Sequence, residues 1–291
     1  GISFHQPLNN HLEWVTAEDS ARLLMKLCLD DVPDRLWNNV YNIGGGASFR
    51  LSAYEFLRKI FSLLSIDMRD ILTPDLYALR NFHGQYYLDS DELDKLLPFR
   101  KDTFEDFLER VRAALPLWVK AAKWAPKTFV RWLLREQCLR NPRTPLYWLK
   151  HDVEEKIEAF FGSRKVWEEI GGWEDFVHIP EAPYTLISHG YDEQKPATRL
   201  QLKDMKEAAR FRGGECLSQE MDTGDWSTKL HFVCSQGHSF HASPFLILRA
   251  GHWCETCVKN TATYEQQARK SPFMAQVWRA DHPIQNTFSS S

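Results

Sequence analysis

The chain contains no run of about 18 apolar residues of the kind that crosses a bilayer, so the sequence offers no membrane-spanning segment. It also has no excess of one charge. Its 36 Lys and Arg stand against 39 Asp and Glu, for a net charge of -3. With neither a global basic bias nor an acidic tail, composition makes no demand for nucleic acid as a partner. The opening Gly1-Ile2-Ser3-Phe4-His5 lacks the basic and apolar regions of a secretory leader. Cysteine is scarce, at six of 291 residues. Four candidate metal ligands fall within 24 residues, which favours a metal in a reducing compartment over a disulfide framework. A cytoplasmic location is the expectation.

What the chain does have is the composition of a globular protein: 43% hydrophobic and 26% charged residues. Its length suits one large domain or two ordinary ones. Eleven Trp residues, spread along the chain, point to core or interface positions.

Residues 14 to 115 alternate helix and strand signals. Thr16 is placed to cap a helix through Leu23, Leu24 and Leu27. Ser52 and Glu55 form a capping-box pattern, and Thr103 opens a helix through Phe104, Phe107 and Val111. Asp89 or Ser90 caps another through Leu93 and Leu97. Asn39–Ile43 and Gln85–Leu88 read as strands. After Pro116, residues 117 to 150 hold eight Lys or Arg against Glu136 alone, interleaved with Trp118, Trp124, Phe129, Trp132, Tyr147 and Trp148. Residues 151 to 170 read as one amphipathic helix ended by Gly171-Gly172, and 173 to 200 as an irregular linker. Gln201–Ala209 and about Cys257–Lys270 read as helices, with a fraying tail after them.

The cysteine cluster is the sharpest signal. Cys234-x3-His238, fifteen residues, then Cys254-x2-Cys257 gives two close pairs, each able to bend round one ion. Zinc takes four such ligands at tetrahedral corners, and four protein ligands leave no open position, so the site is expected to be structural. Gly237 and Gly251 sit where tight turns are needed. His231, His241 and His252 are nearby substitutes, but His238 follows the turn glycine in register with Cys234. Buried free thiols would leave the double spacing unexplained. A redox Trp-Cys-x-x-Cys at 253 to 257 needs a βαβ setting and ignores Cys234 and His238. Cys216 lies at no ligand spacing and reads as a packed thiol.

The stretch around these ligands, including Gly213-Gly214-Glu215-Cys216, Lys229–Cys234, Gly237–Phe240 and Gly251–Cys254, resembles treble-clef zinc-ribbon modules over about residues 205 to 262. The resemblance implies a knuckle on a hairpin and a second ligand pair at a helix start, with no catalysis of its own.

Leu12–Ala21 followed by Val40–Gly46, with Tyr87–Leu93 and Thr103–Leu108, resembles the NAD-dependent epimerase/dehydratase family, the extended short-chain dehydrogenases, over about residues 8 to 115. The resemblance implies an oxidoreductase-type parent that uses NAD(P) on a small-molecule substrate. The family's Gly-rich cofactor fingerprint is absent, because Gly44-Gly45-Gly46 lacks its place and spacing. Its catalytic Tyr-x-x-x-Lys would lie upstream of Trp14. Tyr191 and Lys195 match the letters, but Gly190 and Pro196 bound them and the helical setting is missing. No catalytic or cofactor-binding residue is therefore assigned, and this chain alone is expected to be inactive. Arg50, Arg80 and His83 are the candidates for substrate contact, although surface or packing roles are the preferred reading for them.

The basic aromatic segment could lie on an anionic membrane surface or follow a phosphate backbone. The preferred reading is a helical hairpin with its Trp residues packed and its cations in water.

The expected fold class is α+β. It comprises a partial α/β substrate lobe of an extended short-chain dehydrogenase over 1–115 and a helical basic-aromatic connector over 116–172. A linker follows over 173–204, then a treble-clef zinc domain over 205–275 and a tail over 276–291. An incomplete sheet would expose an apolar edge, so a homodimer is a further expectation. The alternative reading is a non-catalytic zinc-ribbon module that binds nucleic acid or a protein.

Overall fold

The computed structural model describes residues 2–28, 31–37, 39–80, 87, 89–180 and 187–278. It is a mixed α+β structure of many helices and two small antiparallel sheets. The chain divides into two compact units. The first holds residues 1–152 and 164–182, the second 153–163 and 183–291.

In the first unit, β1 (His11–Glu13) pairs antiparallel with β2 (Arg50–Ser52), setting Leu12 opposite Leu51 and Glu13 opposite Arg50. The helices begin where capping chemistry predicts. Thr16 Oγ1 accepts from the Asp19 backbone N–H at the head of Ala17–Leu27. Reciprocal capping boxes open Ala53–Ser62 (Ser52, Glu55) and Phe104–Ala114 (Thr103, Asp106). Each box satisfies donors that the first helical turn leaves without partners. Leu23, Leu36, Leu93, Leu97 and Phe99 form one buried cluster. Phe104 meets Phe49 and Phe56 edge-on.

Two segments depart from expectation. Asn39–Ile43 joins no strand ladder among the described residues, and Val40 and Ile43 are exposed. A β-prone run becomes a strand only when another strand offers it hydrogen bonds. Of the run at 85 to 88, only Tyr87 lies among the described residues, and it is outside any strand. Residues 173–180 are irregular yet fixed. Trp173 Nε1 donates to the Leu72 carbonyl at 2.9 Å, Tyr54 packs on Trp173, Phe176 and His178, and Asn9 brackets Val177 and Ile179 by hydrogen bonds.

The second unit is built on β3 (Glu215–Cys216), β4 (Leu230–Val233) and β5 (Ser239–Ala242), in the order β3-β4-β5. Strand alternation turns Leu230 and Phe232 inward and His231 outward. Phe232 and Leu230 pack with Met205, Ala208 and Ala209 of the helix Leu202–Phe211 and with Ile247 and Leu248 of Pro244–Leu248. Full burial of side chains such as Phe232 and Met205 contributes about 1.5–3 kcal/mol each.

The helix expected over 151 to 170 is two, Glu154–Phe161 and Arg164–Glu168. Gly162, at φ 89°, breaks it, since a left-handed residue cannot continue a right-handed helix. Ile157, Phe160 and Phe161 are buried in this unit, where Phe160 and Tyr264 each meet Trp278 edge-on. The helix expected from Cys257 to Lys270 is also divided, into Glu255–Val258 and Tyr264–Lys270. Between them the Thr263 hydroxyl donates to the Asn260 carbonyl, a local bond that competes with helix propagation. The first residues of the expected tail, 276–278, instead end the helix Pro272–Trp278, where Trp278 is buried, and residues 279–291 lie outside the described residues. No helix among the described residues is long and apolar enough to cross a membrane.

Candidate metal centre

The turn between β4 and β5 carries the first ligand pair. Cys234 N–H donates to the His238 carbonyl at 3.0 Å, and Gly237 N–H donates to the Cys234 carbonyl at 2.9 Å. Gly237 closes this turn at φ 81°, a conformation that costs an L-residue about 1–2 kcal/mol. The second pair sits at a helix start. Cys254 caps Glu255–Val258, and Cys257 lies within it. Cys254 and Cys257 are therefore presented from one turn.

These elements bring Cys234, His238, Cys254 and Cys257 together, with all four ligand atoms within 4.8 Å of one another. His238 Nδ1 lies 3.4 Å from Cys234 Sγ, 3.5 Å from Cys254 Sγ and 3.3 Å from Cys257 Sγ. Cys234 and Cys257 sulfurs are 3.7 Å apart. A tetrahedron with zinc–sulfur bonds of about 2.3 Å and a zinc–nitrogen bond of about 2.1 Å has edges of about 3.6 and 3.8 Å. The three nitrogen–sulfur edges and the Cys234–Cys257 edge lie within a few tenths of an ångström of these values, so the residues fit zinc. No described cysteine is in a disulfide, and three sulfurs around one imidazole nitrogen are too many for a redox pair.

The electrostatics fit the same use. Burial, reinforced by the neighbouring Cys254 and Cys234 thiols, pushes the Cys257 thiol up to about 12. At Cys234 burial also acts upward, but N–H groups of Gln236 and His238 and the adjacent thiols outweigh it and hold the thiol below its ordinary value. Such crowding of ionisable sulfur is relieved when a divalent cation replaces the protons. Phe240 and Trp253 wall the cluster, edge to face at 5.0 Å, and Gln267 donates to the Cys257 carbonyl. Four protein ligands fill a tetrahedron and leave no place for substrate or water.

The alternative histidines are elsewhere. His231 and His241 stack as a cross-strand pair at 4.6 Å, with His231 Nε2 2.6 Å from Ser239 Oγ. His252 is exposed. Cys216 is buried on β3, and burial raises its thiol. Lys195 Nζ is paired with Asp204 at 2.8 Å, and with Tyr191 it lies in a loop rather than a helix.

Arg50 faces Glu13 across the two-stranded sheet, Nε to Oε2 at 2.9 Å. The Glu13 side chain is wholly buried and also accepts from Gly46 N–H, Ser90 Oγ and Tyr87 N–H. Arg100 stands 3.7 Å away, with its Nε donating to the Gly44 carbonyl. A Cβ on Gly44 would collide with Glu13, and one on Gly46 with Arg100. The triple glycine thus wraps a protein carboxylate, which would repel a pyrophosphate, and it does not fit the phosphates of NAD(P). Arg80 is half-buried in the same unit, and His83 lies outside the described residues.

Two functional-looking residues carry no local sequence signal. Glu13 is one. The other is Arg212, whose guanidinium is buried and donates to the carbonyls of His189, Ala208 and Ile247 while lying 4.1 Å over the Phe273 ring. Burial lowers its pKa to about 10. Trp253, beside Cys254, is also within its reach at 5.9 Å.

No protein-family model, curated protein or solved structure matches the chain.

Proposed function

We propose that the chain is the C-terminal portion of an NAD(P)-dependent epimerase, dehydratase or reductase-like protein and carries a structural-zinc domain of treble-clef type. The four-ligand cage carries the zinc assignment: its nitrogen–sulfur edges and the Cys234–Cys257 edge are close to those of a zinc tetrahedron, and four protein ligands leave no place for substrate. Metal analysis of the purified chain is expected to give one zinc, lost in Cys254→Ser. A zinc-free chain with an oxidised Cys254–Cys257 pair overturns the assignment.

The epimerase-like part is supported by the way its resembling segments meet. Glu13, Gly44–Gly46, Tyr87 and Ser90 share one hydrogen-bond network, and Thr16 donates to Asp102 beside the Thr103 cap. The β-prone run at 39–43, with Val40 and Ile43 exposed, suits a strand whose partners belong to the rest of the parent sheet. In that parent the cofactor supplies the hydride chemistry and is held by sequence outside this chain. The small-molecule substrate would lie against this lobe. The test is the intact mass and N-terminal sequence of the protein from its native cell, followed by NADH and NADPH titration of that protein. A native protein that binds neither removes this part of the reading and leaves the zinc unit standing.

A second reading draws on the outer face of the β4–β5 hairpin, where Lys229, His231 and His241 point to solvent. This face could make the zinc unit a binding module for nucleic acid or a protein. Nucleic-acid binding would weaken steeply with salt. A gel shift that is absent, or unchanged between about 50 and about 300 mM salt, excludes that partner.

A further inference from the structure

The expectation that the Trp residues of 117 to 150 are packed holds for Trp148 and fails for Trp118, Trp124 and Trp132. Trp148 is buried, and its Nε1 donates to the Pro142 carbonyl. By contrast Leu117 is 83% exposed, Trp118 77%, Trp124 80%, Phe129 54%, Trp132 57% and Leu133 42%. Six large apolar side chains within seventeen residues thus face outward. Large exposed apolar side chains so dense along the chain mark an interaction surface.

Ion pairs fix which way the patch points. On the helix Lys127–Arg140, Lys127 pairs with Asp70, Arg135 pairs with Asp75, and Arg131 donates to the Asp70 carbonyl. Cys138 is buried on the same side. At about 100° per residue, Phe129, Trp132 and Leu133 lie on the opposite face. The cations therefore hold the helix to the body of the first unit and keep its apolar stripe outside. The segment keeps a net positive charge beside these partners, since its eight Lys and Arg stand against Glu136 within it and against Asp70 and Asp75, which pair with Lys127 and Arg135.

We propose that this face docks on an anionic lipid bilayer surface. Exposed Trp beside aliphatic side chains suits the headgroup boundary, where the ring is apolar and its N–H stays wet, and the exposed cations not turned to the body of the unit, Arg140, Arg143 and Lys150, supply positive charge for lipid phosphates. Single-stranded nucleic acid would stack on the rings but gains nothing from Leu117 and Leu133, and the Phe129 and Trp132 ring centroids, 5.9 Å apart, leave no room for a base between them. A second copy in a two-fold contact would set the same cationic border against itself. The docking is independent of the zinc centre and of the epimerase-like reading.

The full zinc-loaded chain is sedimented with phosphatidylcholine vesicles and with vesicles containing about 30% phosphatidylserine. The expected result is binding to the anionic vesicles only, weakened by salt, with a blue shift of Trp emission. Combined Trp118→Ser, Trp124→Ser and Trp132→Ser should reduce partitioning about tenfold or more while zinc content and thermal unfolding stay unchanged. No sedimentation with anionic vesicles overturns the proposal. So does equal partitioning of the triple variant, retention on single-stranded DNA in place of vesicles, or a dimer that the triple variant abolishes.

Discussion

Removing the metal is the sharpest perturbation of the second unit. Structural zinc sites of small peptides carry about 10–16 kcal/mol of apparent binding free energy at neutral pH, against about 5–15 kcal/mol for the stability of a whole domain. The lower figure corresponds to a dissociation constant of about 50 nM. At about 10 µM free zinc, linkage then stabilises the folded unit by about 3 kcal/mol. The unit spans residues 153–163 and 183–291, a size for which each kcal/mol moves the melting temperature by about 4 °C. Chelation should therefore lower its melting temperature by about 10 °C or more. The loss should start at the β4–β5 turn and the Cys254 helix, because those backbones are joined mainly through the ligands, whereas Met205, Phe232 and Ile247 have their own core. Differential scanning calorimetry with and without a strong chelator, alongside hydrogen exchange of residues 234–258, measures both. A melting temperature that moves by less than about 2 °C on complete zinc removal would refute the reasoning.

Glu13→Ala should destabilise the first unit by about 1–3 kcal/mol, because it takes the acceptor from Gly46 N–H and Tyr87 N–H and a carboxylate from Arg50 and Arg100, which keep Asp91. Urea unfolding checks this, with zinc content unchanged. Gly237→Ala should cost about 1–2 kcal/mol from its φ of 81° and weaken zinc affinity, even though a Cβ there meets no atom within 4 Å. Competition with a chromophoric chelator reads the change. The first unit should also be acid-sensitive. Arg100 holds Asp91 below the usual carboxylate range. Burial would raise Asp102, but bonds from Thr16, Arg110 and Arg22 overcome it and hold it low. Carboxylates depressed in the folded state contribute stability above their unfolded pKa, and this is lost as pH falls through the folded value. Circular dichroism should show weakening below about pH 4, with a shallower pH dependence in Asp102→Asn.

Local chemistry was readable along the chain. Thr16, Ser52 with Glu55, and Thr103 cap helices because their partners are three residues away, and the four residues that could hold a zinc announce themselves because two short spacings each fit a single turn. The α+β class follows from the same local signals.

Tertiary structure decided the rest. A charged residue looks the same in sequence whether it ends in water or in a core, so only the fold shows that Glu13 and Arg212 are buried among distant donors and acceptors. Asn39–Ile43 has the composition of a strand but finds no ladder among the described residues, because a strand is a property of two segments. Trp132 is exposed because Asp70 and Asp75, some sixty residues away in the chain, determine which side of the helix Lys127–Arg140 faces inward. Spacing of a few residues fixed the caps and ligands; which surface faces water depended on contacts that no local pattern encodes.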